Sequence, residues 1–386
     1  MRWALAVGIA YQVVQRFTYT GYGMSEYGRS LWYVTYQHGF VRRGLAGEAL
    51  RTILGRHPTI AEVDLVQNVI ALTTIGAMVA LVVMLCRRRT TIAYAAAGAL
   101  VIAPFAFDSV GGQRRPDLLA FLLLAGVGIW AGTKRVAPAR LALVAGALLA
   151  VCTLASEAAP LIVGPWLVLV LLANDRARRG PDARPLLVTA LGVAPTLLVL
   201  GALTLHGAPT ANQVTSLELD APSIIGGHGS VFVYLGDTFS SSFQRVLERP
   251  NPEISILVGT LLLALLAVAC HGARPWLRGS CDRVLPTRAA RRAWCAATAA
   301  LTLALFALGF DWLRWMGTIT FAALLAACAI VLLEERPAPA FPERVQVSGR
   351  GIAAVAAATY LLVLPPLPNF VDDLVDAARL LFDIPR

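Results

Sequence analysis

Residues 65–89 read LVQNVIALTTIGAMVALVVMLCRRR, an apolar run that ends in three consecutive arginines. A helix of about 20 mainly apolar residues is long enough to cross the hydrocarbon core of a bilayer. Arginine and lysine concentrate in the cytoplasmic connections of membrane proteins. The stretch therefore predicts a transmembrane helix that leaves the membrane on the cytoplasmic side.

The rest of the chain has the same character. Hydrophobic residues make up 57% of the 386 residues and charged residues 15%, whereas a soluble domain carries roughly 25% charged residues. The mean hydropathy is +0.67. We predict an all-α, polytopic transmembrane bundle that forms a single domain over residues 1–386.

Other stretches meet the same length criterion, which brings the prediction to about eleven helices. They are residues 3–18, 91–107, 117–133, 141–155, 159–173, 185–205, 254–271, 294–309, 315–333 and 351–365. Alternate connections are rich in arginine, and all of these fall on one side in this layout. The N-terminus is therefore predicted inside and the C-terminus outside. The net charge of +10 is explained by this topology, because the basic residues form no single stripe for nucleic acid.

Two predicted outer connections, residues 19–64 and 206–253, are long enough to form an extracytoplasmic cap. In the first, Leu45, Ala49, Leu50 and Ile53 recur at helical spacing. This pattern predicts an amphipathic helix lying in the membrane interface.

Charged residues at the membrane boundary are candidates for function, because their desolvation is costly. In HGFVRRGL, His38, Arg42 and Arg43 lie beside glycines at the start of the predicted amphipathic helix. Guanidinium groups and helix N-terminal amides both favour an anion such as phosphate. Anchoring to lipid headgroups is the alternative interpretation.

A second cluster, FDSVGGQRRPD, contains Asp108, Arg114 and Arg115 in a short outer turn. The positive-inside rule disfavours arginines there, and two glycines would allow a ligand to approach the backbone closely. We interpret this cluster as functional, with a structural Asp–Arg pair as the alternative.

Two more candidates lie at predicted outer helix ends. Asp311 and Arg314 are spaced to form an ion pair on one helical turn, or to contact a ligand. Glu157 follows Ser156 at a tight turn. If Glu157 is buried, its pKa would rise and it could act as a general base. At an exposed loop tip it would be a surface carboxylate with no special role.

Standard cofactor and metal motifs are missing from the sequence. It contains no P-loop, no H-E-x-x-H, no G-x-S-x-G and no dinucleotide fingerprint. The spacings of the histidines and cysteines match no common ligand pattern. We predict no cofactor and no metal, with a weak divalent-metal site among His38, His57, His206 and His228 as the alternative.

The stretches GFVRRGL, GGQRRPD and FDWLRW resemble those of bacterial membrane proteins grouped with polysaccharide synthesis and polymerisation. The layout, with a long interfacial first outer loop, resembles the GT-C class of membrane glycosyltransferases. Members of that class carry a pair of acidic residues in this loop, where the present chain has Glu26 and Glu48. The resemblance implies a polyprenyl-phosphate-linked sugar as donor and a glycan or lipid as acceptor.

The resulting prediction is a glycosyltransferase or polysaccharide polymerase at the outer face of the bacterial cytoplasmic membrane. It acts on a polyprenyl-(pyro)phosphate-linked sugar. The residues predicted to bind phosphate are Arg42, Arg43, Arg114, Arg115, Arg314 and His38. The candidate bases, in order, are Asp108, Glu26, Glu157 and Asp311. A transporter or flippase for a lipid-linked or anionic substrate, and a noncatalytic subunit of envelope assembly, are the alternatives.

Overall fold

The computed structural model describes residues 26–88, 90–102, 116–134, 136–225, 230–237, 241, 244, 284–285, 287–308 and 312–333. The regular elements within these residues are all helical. The α-helices are α1 (Glu26–Ser30), α2 (Leu45–Leu54), α3 (Ile60–Arg88), α4 (Thr91–Ile102), α5 (Leu118–Thr133), α6 (Pro138–Ala155), α7 (Ala159–Arg179), α8 (Pro185–His206), α9 (Ala211–Asp220), α10 (Phe232–Leu235), α11 (Arg288–Leu308) and α12 (Trp312–Leu333).

Four of these helices, α3, α6, α7 and α8, are long and apolar enough to cross a membrane. Two shorter apolar segments, Leu118–Thr133 and Gly317–Leu333, accompany them. The prediction of an all-helical fold with transmembrane helices is confirmed. The predicted spans 3–18, 254–271 and 351–365 lie outside the described residues, so the count of about eleven and the orientation stay predictions.

The core of the bundle forms around α12, which packs against α3, α4, α5 and α7. Phe121 of α5 and Phe321 of α12 are both buried, and their ring centroids lie 5.0 Å apart. A Cβ on Gly128 of α5 would lie 2.7 Å from the Cβ of Ala329 on α12. Small residues thus let these two helices approach closely, as is common where lipid provides no hydrophobic driving force.

Helix α6 approaches α8 in the same way. A Cβ on Gly146 would lie 2.5 Å from the carbonyl oxygen of Leu191 and 2.8 Å from that of Gly192. The obstacle is backbone rather than a flexible side chain. The contact between α6 and α8 therefore depends on the missing side chain at position 146.

Arginines close the C-terminal ends of two helices. The Nη2 of Arg88, at the end of α3, donates to the carbonyl of Leu332 at 2.6 Å. The Nη2 of Arg178 in α7 donates to the carbonyls of Ala131 and Lys134 at the end of α5. Basic side chains near helix C-termini satisfy free carbonyls and complement the helix dipole.

Two segments at the other end of the bundle, residues 26–58 and residues 207–225 with 230–237, pack on each other, and we call them the loop layer. Trp32, Tyr33 and Val34 of the first share an apolar cluster with Leu217 and Phe232 of the second. Their predicted extracytoplasmic location stays a prediction.

The helix predicted in the first outer loop is α2. Its residue Leu50 is buried in the loop layer, whereas Ile53 is 80% exposed. Gly47 faces the backbone of the preceding segment, because its Cβ would lie 2.3 Å from the carbonyl oxygen of Val34. The helix thus packs on residues 32–34 at Gly47, where there is no side chain, and leaves Ile53 exposed.

We expect Gly146→Ala to lower the stability of the bundle by about 1–3 kcal/mol, because the added methyl overpacks the α6–α8 contact. Gly76→Ala on α3 is the matched control, since a Cβ there meets nothing within 4 Å. Alanine at that position should leave stability unchanged or raise it by up to about 1 kcal/mol through helix propensity. Thermal midpoints of the detergent-purified variants provide the comparison. Equal midpoints for the two variants would contradict the close packing of α6 on α8.

Candidate functional site

The candidate site lies at the turn between α6 and α7, where the loop layer meets the bundle. Helix α6 ends at Ala155, and the Ser156 N–H donates to the carbonyl of Cys152 at 2.8 Å. Glu157 follows in the turn, directly before the first residues of α7. The N-terminus of a helix favours a negative charge, so this turn suits an ionised carboxylate.

Arg43 of the first loop reaches this carboxylate. Its Nε donates to Glu157 Oε1 at 3.1 Å, its Nη2 donates to the same oxygen, and its Nη1 donates to the hydroxyl of Tyr27 at 2.8 Å. The two partner residues belong to different segments, the α6–α7 turn and α1. Arg43 therefore ties the first loop to the transmembrane bundle.

The backbone of Arg43 has a φ of +65°. This left-handed conformation is uncommon for a residue with a side chain, and it persists where surrounding contacts determine it. The following residue, Gly44, is also constrained, because a Cβ there would lie 2.3 Å from the Tyr36 ring. The R-R-G sequence thus forms a tight bend.

Arg42 points to other partners. Its Nε donates to the carbonyl of Leu235 at 2.9 Å, and its Nη2 donates to the carbonyls of Tyr234, Leu235 and Asp237. These carbonyls lie at the C-terminal end of α10. The remaining nitrogen, Nη1, lies 3.9 Å from Glu157 Oε1. Arg42 thus connects the two halves of the loop layer and adds a second positive charge beside the carboxylate.

The electrostatics of the site favour the charged forms of Arg43 and Glu157. Burial alone would raise the pKa of Glu157, but the charges of Arg43 and Arg42 and the hydrogen bond from Arg43 lower it overall. Burial would lower the pKa of Arg43, yet the Glu157 carboxylate raises it above its ordinary value. Asp117, at the start of α5, lies close enough to act on both groups. Two arginines and two carboxylates thus lie in one cluster, and Asp237 also acts on Arg42.

A second polar contact holds the loop layer together near His38. The Nε2 of His38 lies 2.7 Å from Asp220 Oδ2 at the end of α9, and His57 Nε2 lies 3.9 Å from the same oxygen. The Gln213 side chain donates to the backbone carbonyl of His38 at 2.8 Å. Gly39 bends beneath that amide with a φ of +116°. His38, predicted to bind phosphate, is thus placed against a carboxylate.

The structure brings together three of the predicted site residues, Arg42, Arg43 and Glu157. Glu26 begins α1 and is partly exposed. Arg314 lies in the first turn of α12. The other four predicted residues, Asp108, Arg114, Arg115 and Asp311, lie outside the described residues, and their roles stay predictions.

Sequence reasoning missed Tyr27, Asp117 and Asp220 as partners in these contacts. Asp117 is the last residue of GGQRRPD, close to the predicted phosphate-binding residues Arg114 and Arg115 in the sequence. Tyr27 lies in an aromatic stretch that resembles an interfacial belt. Among the described residues, no group of three or more His, Cys, Asp or Glu side chains is placed to hold a metal ion.

We expect the stabilities of Arg43 and Glu157 variants to be coupled. Glu157→Ala should lower the free energy of unfolding by about 1–3 kcal/mol, because it leaves the Arg43 charge without its partner. This is less than for a fully buried pair, since the two side chains are 20% and 29% exposed. The double variant with Arg43→Ala should be destabilised by less than the sum of the single variants. Thermal midpoints of the four proteins test this, and additive effects would contradict it.

Comparison with known proteins places the chain among membrane proteins. No curated protein and no solved structure matches it. The sequence profile of one family matches residues 2–219, more than half of the chain and including Tyr27, Arg43 and Glu157. This family is described as uncharacterised membrane protein Rv1490, and the apolar helices of the structure agree with that description. The chain is therefore an integral membrane protein that belongs to the Rv1490 family.

Proposed function

We propose that the chain is a membrane glycosyltransferase or polysaccharide polymerase that uses a polyprenyl-(pyro)phosphate-linked sugar, with Glu157 as its base. The proposal rests on one observation, the carboxylate of Glu157 held between the guanidinium groups of Arg43 and Arg42 at the α6–α7 turn. Glu157 is proposed ahead of Asp108 as the base because two arginine side chains flank its partly exposed carboxylate. A glycan or lipid serves as acceptor, and no cofactor is needed.

The protonation state of Glu157 suits a proton acceptor. Its lowered pKa keeps the carboxylate ionised at neutral pH. Its side chain is 29% exposed, so an acceptor hydroxyl can reach it. A positioned carboxylate that accepts the proton of an attacking hydroxyl contributes about 10²- to 10⁴-fold to the rate.

In the proposed reaction the acceptor oxygen forms a bond to the anomeric carbon of the donor sugar. The bond from that carbon to the phosphate oxygen breaks, and the lipid (pyro)phosphate leaves with the electron pair. The proton of the acceptor hydroxyl passes to Glu157. Arg43 stabilises the negative charge that develops on the leaving phosphate.

Arg42 has a positioning role in this proposal. Its Nε and Nη2 are engaged with the carbonyls at the end of α10, which fixes the neighbouring residue Arg43 in place. Its Nη1 contributes a second positive charge 3.9 Å from the carboxylate oxygen.

The full predicted layout belongs to the same proposal. We propose about eleven transmembrane helices in the bacterial cytoplasmic membrane. The N-terminus lies inside, and the loop layer faces outward. The arginines at the ends of α3 and α7 support this orientation, because basic residues concentrate on the cytoplasmic side.

We expect Glu157→Gln to reduce product formation by about 10²- to 10⁴-fold, because the amide cannot accept the proton. The assay uses purified full-length protein in nanodiscs with cell-envelope lipid extract and follows new glycolipid or longer glycan. Glu62→Gln is the matched control, since Glu62 is also paired with an arginine, Arg56, at a distant surface position. It should retain wild-type activity.

Full activity of Glu157→Gln would remove Glu157 as the base. If wild-type protein forms no product while headgroup-labelled lipid crosses the bilayer, the flippase alternative replaces the enzyme. If labelled lipid neither reacts nor crosses, the protein is a noncatalytic subunit of envelope assembly.

We also expect the two ends of the bundle to differ in accessibility. In a cysteine-free background, a cysteine at the exposed position Thr52 of α2 should react with a membrane-impermeant maleimide in intact cells. A cysteine at the exposed position Asp182, between α7 and α8, should react only after the membrane is permeabilised. The opposite pattern would reverse the proposed orientation.

A further inference from the structure

The ion pair between Arg43 and Glu157 differs from the other arginine–carboxylate pairs around it. Arg29 binds Asp64 with two nitrogens on two oxygens, Nε to Oδ1 at 3.1 Å and Nη2 to Oδ2 at 2.9 Å. Arg56 likewise contacts both oxygens of Glu62 at 3.0 and 2.6 Å. This arrangement matches the guanidinium fork to the carboxylate and makes the strong form of the pair.

Arg43 does not use this geometry. Its Nε and Nη2 both donate to Oε1 of Glu157, so two donors share one oxygen. Arg42 Nη1 approaches the same oxygen at 3.9 Å. A single carboxylate oxygen thus occupies the point where the two guanidinium groups converge.

A phosphate group fits this convergence better than the carboxylate does. It offers several oxygens, so each arm of the Arg43 fork can bind its own acceptor, and a further oxygen can face Arg42. Arg42 and Arg43 already have carboxylates beside them, so an entering anion gains most when it takes the place of one of these carboxylates. Glu157 is the one that already occupies the fork.

We propose that Glu157 is an internal placeholder for phosphate: a lipid-linked phosphate or pyrophosphate displaces Glu157 Oε1 from Arg43 and binds the freed fork. Tyr27 stays on Nη1 and keeps Arg43 oriented during this exchange. The site is therefore closed by its own carboxylate until the ligand arrives.

The exchange also activates the base, a consequence that rests on the proposed function. Glu157 loses the Arg43 hydrogen bonds that lower its pKa, whereas burial, which raises the pKa, remains. The displaced carboxylate consequently holds a proton more readily. Binding of the donor phosphate and the increase in the basicity of Glu157 thus occur in the same step.

The test is a binding titration of full-length protein in nanodiscs with farnesyl pyrophosphate and with inorganic pyrophosphate. Glu157→Gln removes the competing charge and should bind farnesyl pyrophosphate about tenfold more tightly or better, given the coupling of close charge pairs. Arg43→Gln should lose binding, and the Glu62→Gln control should match wild type. Unchanged or weaker binding by Glu157→Gln would overturn the placeholder.

Glu157→Asp keeps the negative charge but shortens the side chain, so it serves if Glu157→Gln fails to fold. Its affinity for farnesyl pyrophosphate should lie between that of wild type and that expected when no carboxylate occupies Arg43. An affinity at or below that of wild type would overturn the proposal. The two pyrophosphates distinguish the source of the ligand. Tighter binding of the farnesyl compound identifies a lipid-linked phosphate, whereas equal binding identifies a soluble one and overturns the lipid assignment.

Activity measured on the same preparations separates this inference from the proposed function. If wild type forms product but Glu157→Gln does not bind farnesyl pyrophosphate more tightly, the proposed transferase function stands and the placeholder role of Glu157 is wrong. If Glu157→Gln binds farnesyl pyrophosphate more tightly but wild type forms no product, the phosphate site stands and the proposed transferase function is wrong.

Discussion

The loop layer depends on one constraint, that charge near the apolar bundle must have a partner. Arg42 and Arg43 are adjacent and carry the same charge, yet their guanidinium groups have different acceptors. One binds neutral carbonyls at the end of α10, and the other binds the Glu157 carboxylate. Because desolvation is costly for an unpaired charge, these contacts hold the first loop, the α6–α7 turn and α10 in one arrangement.

The bundle beneath supplies a rigid support by close helix packing. Gly128 lets α5 approach Ala329 of α12 closely, and Gly146 lets α6 approach the backbone of α8. Because α6 is packed closely, the positions of Ser156 and Glu157 at its C-terminal end are restricted. The geometry at Glu157 is consequently set by contacts deep in the bundle as well as by Arg43.

Much of the fold was predictable because apolar runs and helix ends are local signals. The spans predicted at 117–133, 141–155 and 185–205 became Leu118–Thr133, Pro138–Ala155 and Pro185–His206. The contact of Arg43 with Glu157 was not predictable in this way, because 114 residues separate the two in sequence. The sequence left open whether Glu157 was buried or at an exposed tip. The structure places it partly exposed and paired, which neither interpretation alone described.

Family membership establishes a membrane protein, and the chemistry must be argued from the site. The contrast among the arginine pairs is informative here, because Arg29, Arg43 and Arg56 all belong to the first segment of the loop layer. Pairs that use two carboxylate oxygens, such as Arg29–Asp64, satisfy the guanidinium fork and serve stability. The Arg43 fork is satisfied by one oxygen and lies beside a second arginine, on a backbone in the left-handed region. Departures of this kind from the stable local arrangement are concentrated at functional sites, and this one lies where the loop layer meets the membrane helices.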